Sequence, residues 1–222
     1  MPKYVMEFIG TFFLVLVITV TGRLGEDAGV LVPLAIGAVL MVMVYAGGHI
    51  SGAHYNPAVS LAILLRGRMK TSDLGPYVLI QLAAAAAAAG VAFILVETDP
   101  TALSIAGEDV PAALLAEFLF TFALAFVVLN VATSKDHPNN SFYGLAIGFT
   151  VLAGAVTVGG ISGGAFNPAV ALGISIAGMT EWANIWIYLV ADLAGAAVAA
   201  VAFRAVNPQD LAPMEDMEVM EA

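Results

Sequence analysis

The chain has 222 residues, 61% of them hydrophobic and 11% charged, and its mean hydropathy of +0.96 is too high for a water-soluble globule. It contains no cysteine, which excludes disulfides, thiolate metal sites and cysteine nucleophiles. The net charge of −10 lacks the basic footprint of a nucleic-acid binder.

The first predicted element is an apolar span over about 4–22, carrying Glu7 near its start. It is longer than a signal-peptide core, only Lys3 precedes it, and no convincing cleavage site follows, so it reads as a retained membrane helix. A second span, about 30–48, runs into Gly48-His49-Ile50-Ser51-Gly52-Ala53-His54-Tyr55-Asn56-Pro57-Ala58-Val59. Asn is a strong helix N-cap, and Pro suits the first helical position, whose N–H has no helical partner. A helix is therefore predicted from Pro57 to about Leu65. Ten residues cover about 15 Å, half of a ~30 Å hydrocarbon core.

Three long spans follow at about 76–97, 111–131 and 142–159, separated by turn and polar residues at Gly67–Gly75, Thr98–Val110 and Thr133–Asn140. Glu117 stands near the start of the second of these. The sequence then repeats its earlier move with Gly160-Ile161-Ser162-Gly163-Gly164-Ala165-Phe166-Asn167-Pro168-Ala169-Val170 and a second short helix, Pro168 to about Ala177. A last span covers about 183–205. Five of the 17 acids, from Asp210 to Glu221, fall in the last 13 residues. The tail 209–222 is predicted to be disordered and solvated.

Six spans put both termini on one side. With that side cytoplasmic, Lys3, Arg66, Arg68, Lys70, Lys135 and Arg204 are inside and only Arg23 is outside, which fixes the orientation of a multi-pass cell-membrane protein. Glu26, Asp27, Glu97, Asp99, Glu108 and Asp109 then face outward. The chain is also an internal repeat. Glu7–Phe12 matches Glu117–Phe122 at an offset of 110, and Ile50–Val59 matches Ile161–Val170 at an offset of 111. The expected architecture is one channel domain, 1–208, made of repeats at about 1–105 and 106–208. Each repeat holds three spans and one half-helix, and the odd number of spans inverts the second against the first. Such repeats place a functional site at the midplane between the halves.

Paired Asn-Pro-Ala motifs, the His-Ile-Ser-Gly-Ala-His run at 49–54 and the Glu-Phe-x-x-Thr starts of spans one and four resemble the aquaporin, or major intrinsic protein, family over Glu7 to about Arg204. The resemblance implies an all-α membrane protein with six transmembrane helices and two re-entrant half-helices, a homotetramer in the lipid bilayer, and passage of water and small neutral solutes with no cofactor and no metal. The physics of the motifs agrees. Two half-helix N-termini, each about +0.5 charge, meet at the centre and oppose cations. An N-capping Asn uses its oxygen on its own helix and leaves its amide hydrogens free, so Asn56 and Asn167 are pore donors, flanked by Pro57, Ala58, Pro168 and Ala169. Carbonyls of Gly52, Ala53, His54, Tyr55, Gly163, Ala165 and Phe166, in segments expected to be extended, are pore acceptors.

Glu7 and Glu117 are expected to brace the two re-entrant loops, an inference from the resemblance. Asp192 shows no counterpart in the first repeat. His54 is expected to brace its loop; His49 has two readings, a pore-bordering group that gates with pH and, the one favoured, a residue with no special role. The selectivity filter, carried over by spacing from the two asparagines, is Ile36, Ala155, Gly164 and Val170. Relatives typically have Arg at the position of Val170, so this filter is apolar and departs from the family pattern. The readings kept open are a passive channel for water and solutes such as glycerol, urea, ammonia or gases, a proton-coupled transporter using Glu7, Glu117 or Asp192, and a structural membrane protein with a vestigial pore. No nucleophile–base pair suggests an enzyme.

Overall fold

The computed structural model describes residues 1–25 and 29–210. The outward-facing reading of Glu26 and Asp27 and the tail from Leu211 onward lie outside the described residues. Among the described residues, eight α-helices run in the order α1 Pro2–Leu24, α2 Val32–Ser51, α3 Pro57–Arg66, α4 Thr71–Leu95, α5 Val110–Thr133, α6 Tyr143–Ser162, α7 Pro168–Ile176 and α8 Ile185–Val206. Six are long and apolar enough to cross a membrane, and α3 and α7 are the short pair.

The α4 boundary differs from the sequence reading. The helix starts at Thr71, five residues before the expected 76, and Pro76 lies inside it. Gly75-Pro76 reads as a break, but a proline this near the N-terminus costs only the bond to the Ser72 carbonyl, and Ser72 is exposed.

The two repeats interlock. In each, the first span packs on the second and third: α1 on α2 and α4, α5 on α6 and α8. The short helices cross over, α3 packing on α8 and α7 on α4. The α2–α6 contact closes the seam between repeats through glycines. A Cβ on Gly37 would stand 2.8 Å from the Gly148 carbonyl oxygen, and one on Gly148 would stand 2.4 Å from that of Gly37, so only glycine permits this approach. The alanine runs split their faces. Ala84, Ala85, Ala88 and Ala89 on α4, and Ala196, Ala199 and Ala200 on α8, are buried within the chain, so those positions serve packing inside one subunit.

At the end where α3 terminates, Asp210, the first acid of the predicted tail, is buried rather than solvated. It sits in a 3-10 turn, Pro208–Asp210, and pairs with Arg66 at 2.7 Å and Arg68 at 3.5 Å, while its Oδ2 accepts from the Lys135 N–H at 3.2 Å. Burial alone would raise the Asp210 carboxyl, but the Ser134 hydroxyl, Arg66 and the Lys135 N–H outweigh it and hold it below the ordinary carboxylate value. An acid depressed on folding contributes stability present above its unfolded value of about 3.9 and lost as the pH falls through the lower folded value. At neutral pH the anchor is therefore fully formed. Asp210→Asn is expected to free the 133–140 loop, read as faster tryptic cleavage after Arg68 and Lys135; cleavage at the wild-type rate would show that the ion pair does not hold the loop.

Candidate functional site

Each short helix is capped as its sequence dictates. Asn56 is extended (φ −157°, ψ 121°), and its Oδ1 accepts from the Ala58 N–H at 2.8 Å and the Val59 N–H at 3.4 Å. Asn167 repeats this (φ −163°, ψ 115°) with Ala169 at 2.9 Å and Val170 at 3.4 Å. Pro57 and Pro168 open the helices, and Ala58 and Ala169 are fully buried beside them. The caps also bond across the repeats: Asn56 Nδ2 donates to the Phe166 carbonyl at 2.8 Å, and Asn167 Nδ2 donates to the Tyr55 carbonyl at 2.9 Å. The helices thus meet head to head. An amide NH2 has two hydrogens, so each asparagine keeps one beyond this seam.

The loops leading into the caps are not extended, contrary to the sequence reading. Positive φ angles occur at Gly52 (81°), Ala53 (50°) and Tyr55 (50°), and again at Gly163 (90°), Gly164 (64°) and Phe166 (51°). Left-handed backbone at a non-glycine residue costs of order 1–3 kcal/mol and persists only where the surroundings impose it. Here two buried glutamates impose it. Glu7 Oε1 accepts from Ser51 Oγ at 2.7 Å and the His54 N–H at 2.9 Å, and its Oε2 accepts from the Tyr55 N–H at 2.7 Å and Gln81 Nε2 at 2.9 Å. Glu117 Oε1 accepts from Ser162 Oγ at 2.6 Å and the Ala165 N–H at 3.0 Å, and its Oε2 from the Phe166 N–H at 2.7 Å. Successive N–H groups turned one way by left-handed residues form a concavity that a carboxylate fills.

Further partners escaped the sequence reading. Tyr77 donates to the Ser51 carbonyl at 2.8 Å and Tyr188 to the Ser162 carbonyl at 2.7 Å, pinning the start of each loop. Both tyrosines, and Ser51 with Ser162, obey the 111-residue offset already visible in the motifs; extending that offset into the third spans would have found them. His54 is buried, with Nδ1 at 3.0 Å from Ser60 Oγ and its ring against Tyr77. His49 is exposed and lines a wide vestibule of about 510 Å³ together with Arg68, His137 and Asn140.

Between the caps lies a cavity of about 20 Å³, enough for one water, which needs roughly 10–15 Å³. Its polar lining is the Asn56–Asn167 pair and His54, and the rest includes Leu14, Leu40, Val59, Leu124, Val151 and Val170. These apolar residues pair by the same offsets, Leu14 with Leu124, Leu40 with Val151 and Val59 with Val170. Of the four filter residues assigned by spacing, Val170 lines this cavity. Ala155 and Gly164 approach each other, a Gly164 Cβ standing 3.6 Å from the Ala155 Cα, and Ile36 is half-buried on α2. The Tyr55 and Phe166 carbonyls, expected as pore acceptors, each give one lone pair to the seam. Among the described residues no cluster of His, Cys, Asp and Glu is arranged to hold a metal.

The profile of the Major intrinsic protein family matches residues 1–203. The chain belongs to the major intrinsic protein family. Within that family it is similar to glycerol uptake facilitator protein-like 6 of Lactiplantibacillus plantarum, 36% identical over 95% of this chain and 100% of that protein. It is also similar to aquaporin NIP1-1 of Oryza sativa subsp. japonica, 38% identical over 92% of this chain and 74% of that protein. The aquaglyceroporin from Plasmodium falciparum superposes with a TM-score of 0.79 at 23% identity, covering 95% of this chain and 99% of that one, and shares the fold. Major intrinsic proteins and this chain therefore share the helical architecture on which the paired asparagines sit.

Proposed function

We propose that this major intrinsic protein is a passive channel, and not an enzyme, that conducts water and small uncharged solutes between Asn56 and Asn167. The observation that carries the reading is the pair of head-to-head helix N-termini, each with one amide hydrogen left over, at a water-sized cavity lined mostly by apolar side chains, with His54 beside the asparagines. Two donors hold a passing oxygen from both sides, and the two positive helix ends disfavour a cation, hydronium included. Ile36, Ala155, Gly164 and Val170 form an apolar filter on this reading, and the kinship with a glycerol uptake facilitator and an aquaporin supports both classes of permeant. The side that carries Lys3, Arg66, Arg68, Lys70, Lys135 and Arg204 is cytoplasmic under the positive-inside rule, so both termini are too. The unit in the cell membrane is a homotetramer, as the family likeness implies.

Stopped-flow light scattering on proteoliposomes tests the proposal. Reconstituted protein should speed osmotic shrinkage with a low activation energy and pass glycerol or urea in a second, isosmotic experiment. Liposomes no faster than empty ones, or a solute flux that saturates and follows a proton gradient, would overturn it. Because the chain has no thiol, the flux should also be unaffected by mercurials. Block reversed by a thiol reagent would mean that the conducting species is a contaminant.

A further inference from the structure

The third span of each repeat sets a polar residue against the loop-bracing glutamate, and the two residues differ. In the first repeat it is Gln81, fully buried on α4, whose Nε2 donates to Glu7 Oε2 at 2.9 Å. In the second it is Asp192, 111 residues later and equally buried on α8. The structure thus supplies the counterpart that the sequence reading did not find. The neighbouring threonines correspond as well: Thr121, 110 residues after Thr11, donates to Asp192 Oδ1 at 3.0 Å.

The chemistry of the two sites is not equivalent as written. An amide brings its own donor to Glu7, whereas an ionised carboxylate is acceptor-only. Yet the Asp192 carboxyl stands beside that of Glu117, at the place where Gln81 meets Glu7, with the Asn167 N–H also facing it, and its Oδ2 is buried with no hydrogen-bond partner among the described residues. No Lys, Arg or His among the described residues is ion-paired with either acid. Two carboxyls in contact, buried and without a cation, do not both ionise, because neither water nor a counter-charge screens them. Counting donors shows where the one proton belongs. Glu117 already receives three hydrogen bonds, from Ser162, Ala165 and Phe166, while Asp192 Oδ2 receives none.

We propose that Asp192 is a neutral carboxylic acid whose Oδ2–H donates to Glu117, doing for the second loop what the Gln81 amide does for the first. Asp192 is a positioning residue on this account. It orients Glu117, which fixes the Ala165 and Phe166 N–H groups and, through them, the Asn167 cap. The proton stays in place and is no part of transport.

Infrared spectroscopy of the full-length protein in lipid at neutral pH tests this whatever the pore conducts. The wild type should show a protonated-carboxyl C=O band that moves to lower wavenumber with 13C-carboxyl aspartate and is lost in Asp192→Asn. Asp192→Asn, which supplies an amide donor as Gln81 does, should keep wild-type thermal stability and water flux, and Asp192→Val should lose both. Three results would overturn the proposal: no such band, a band that moves with labelled glutamate instead, or an Asn variant as impaired as the Val variant. If the Val variant does not fold, the labelled wild type and the Asn variant still decide.

Discussion

Glu7→Leu is expected to leave little folded protein. The substitution strips the acceptor from four buried donors, those of Ser51, His54, Tyr55 and Gln81, in a place without solvent to replace it. Each orphaned donor costs about 1–3 kcal/mol, so the sum rivals the whole stability of a domain. Glu7→Gln is the more telling variant. Placed at the Oε2 position, its NH2 would face the Tyr55 N–H; placed at the Oε1 position, it would face that of His54. Gln81 can flip its amide and Ser51 can turn its hydroxyl to accept, but a backbone N–H cannot, so one orphan remains in either orientation. Tyr55 then relaxes from its positive φ and carries the Asn56 cap with it. The expected result is a lower yield of folded protein and, in what folds, less water flux per molecule. Size-exclusion profiles and thermal unfolding of membrane-extracted protein, with stopped-flow flux at matched density, measure both. Wild-type yield, stability and flux in Glu7→Leu would show that the loop keeps its left-handed residues without the carboxylate.

Val170→Arg is expected to change what passes rather than whether the protein folds. Val170 is buried, its N–H bonds the Asn167 cap, and it lines the central cavity together with the related Val59. A guanidinium there is permanently charged and far bulkier than the valine it replaces, so it narrows the path. Glycerol or urea must shed more water than a water molecule does, and the apolar filter proposed above offers few groups to replace that shell. Solute permeability should therefore fall more steeply than water permeability, and residual proton leak should fall as well, because a fixed positive charge adds to the two helix ends. The measurement is the ratio of solute to water permeability in wild-type and Val170→Arg proteoliposomes at equal protein density, with an internal pH dye. An unchanged ratio would remove Val170 from the constriction and with it the filter assigned by spacing.

Much of this arrangement was legible because it rests on local chemistry. Asn-Pro starts a helix wherever it occurs, and α3 and α7 begin at Pro57 and Pro168 as expected. Apolar runs long enough to span a bilayer gave the six long helices to within a few residues, the exception being α4, where Gly75-Pro76 imitates a break. The repeat was legible in the motifs and stopped being legible at the third spans, where Gln81 and Asp192 share a position but not a residue type. The left-handed loops were hidden because Ala53, Tyr55 and Phe166 give no local sign of positive φ; a carboxylate about 50 residues away holds the Tyr55 and Phe166 N–H groups, and Ser51 Oγ, itself bonded to Glu7, holds that of Ala53. Asp210 was misread for a similar reason. Its neighbours in sequence are a tail, and its neighbours in space are Arg66 and Arg68.

The hydrogen bonds that the two asparagine amides donate to the opposite loops also set a schedule for assembly. Asn56 finds its acceptor on Phe166, 110 residues later, and α3 finds its largest packing partner in α8, the last of the described helices. At roughly 5–20 residues per second, the first half of the chain waits on the order of 5–20 s in the membrane before its polar loop can be satisfied. During that interval the first loop has its glutamate and no opposite loop. The two halves are thus obligate co-folders, each a template completed by the other, and a truncation after α4 should behave as a substrate for quality control rather than as half a channel.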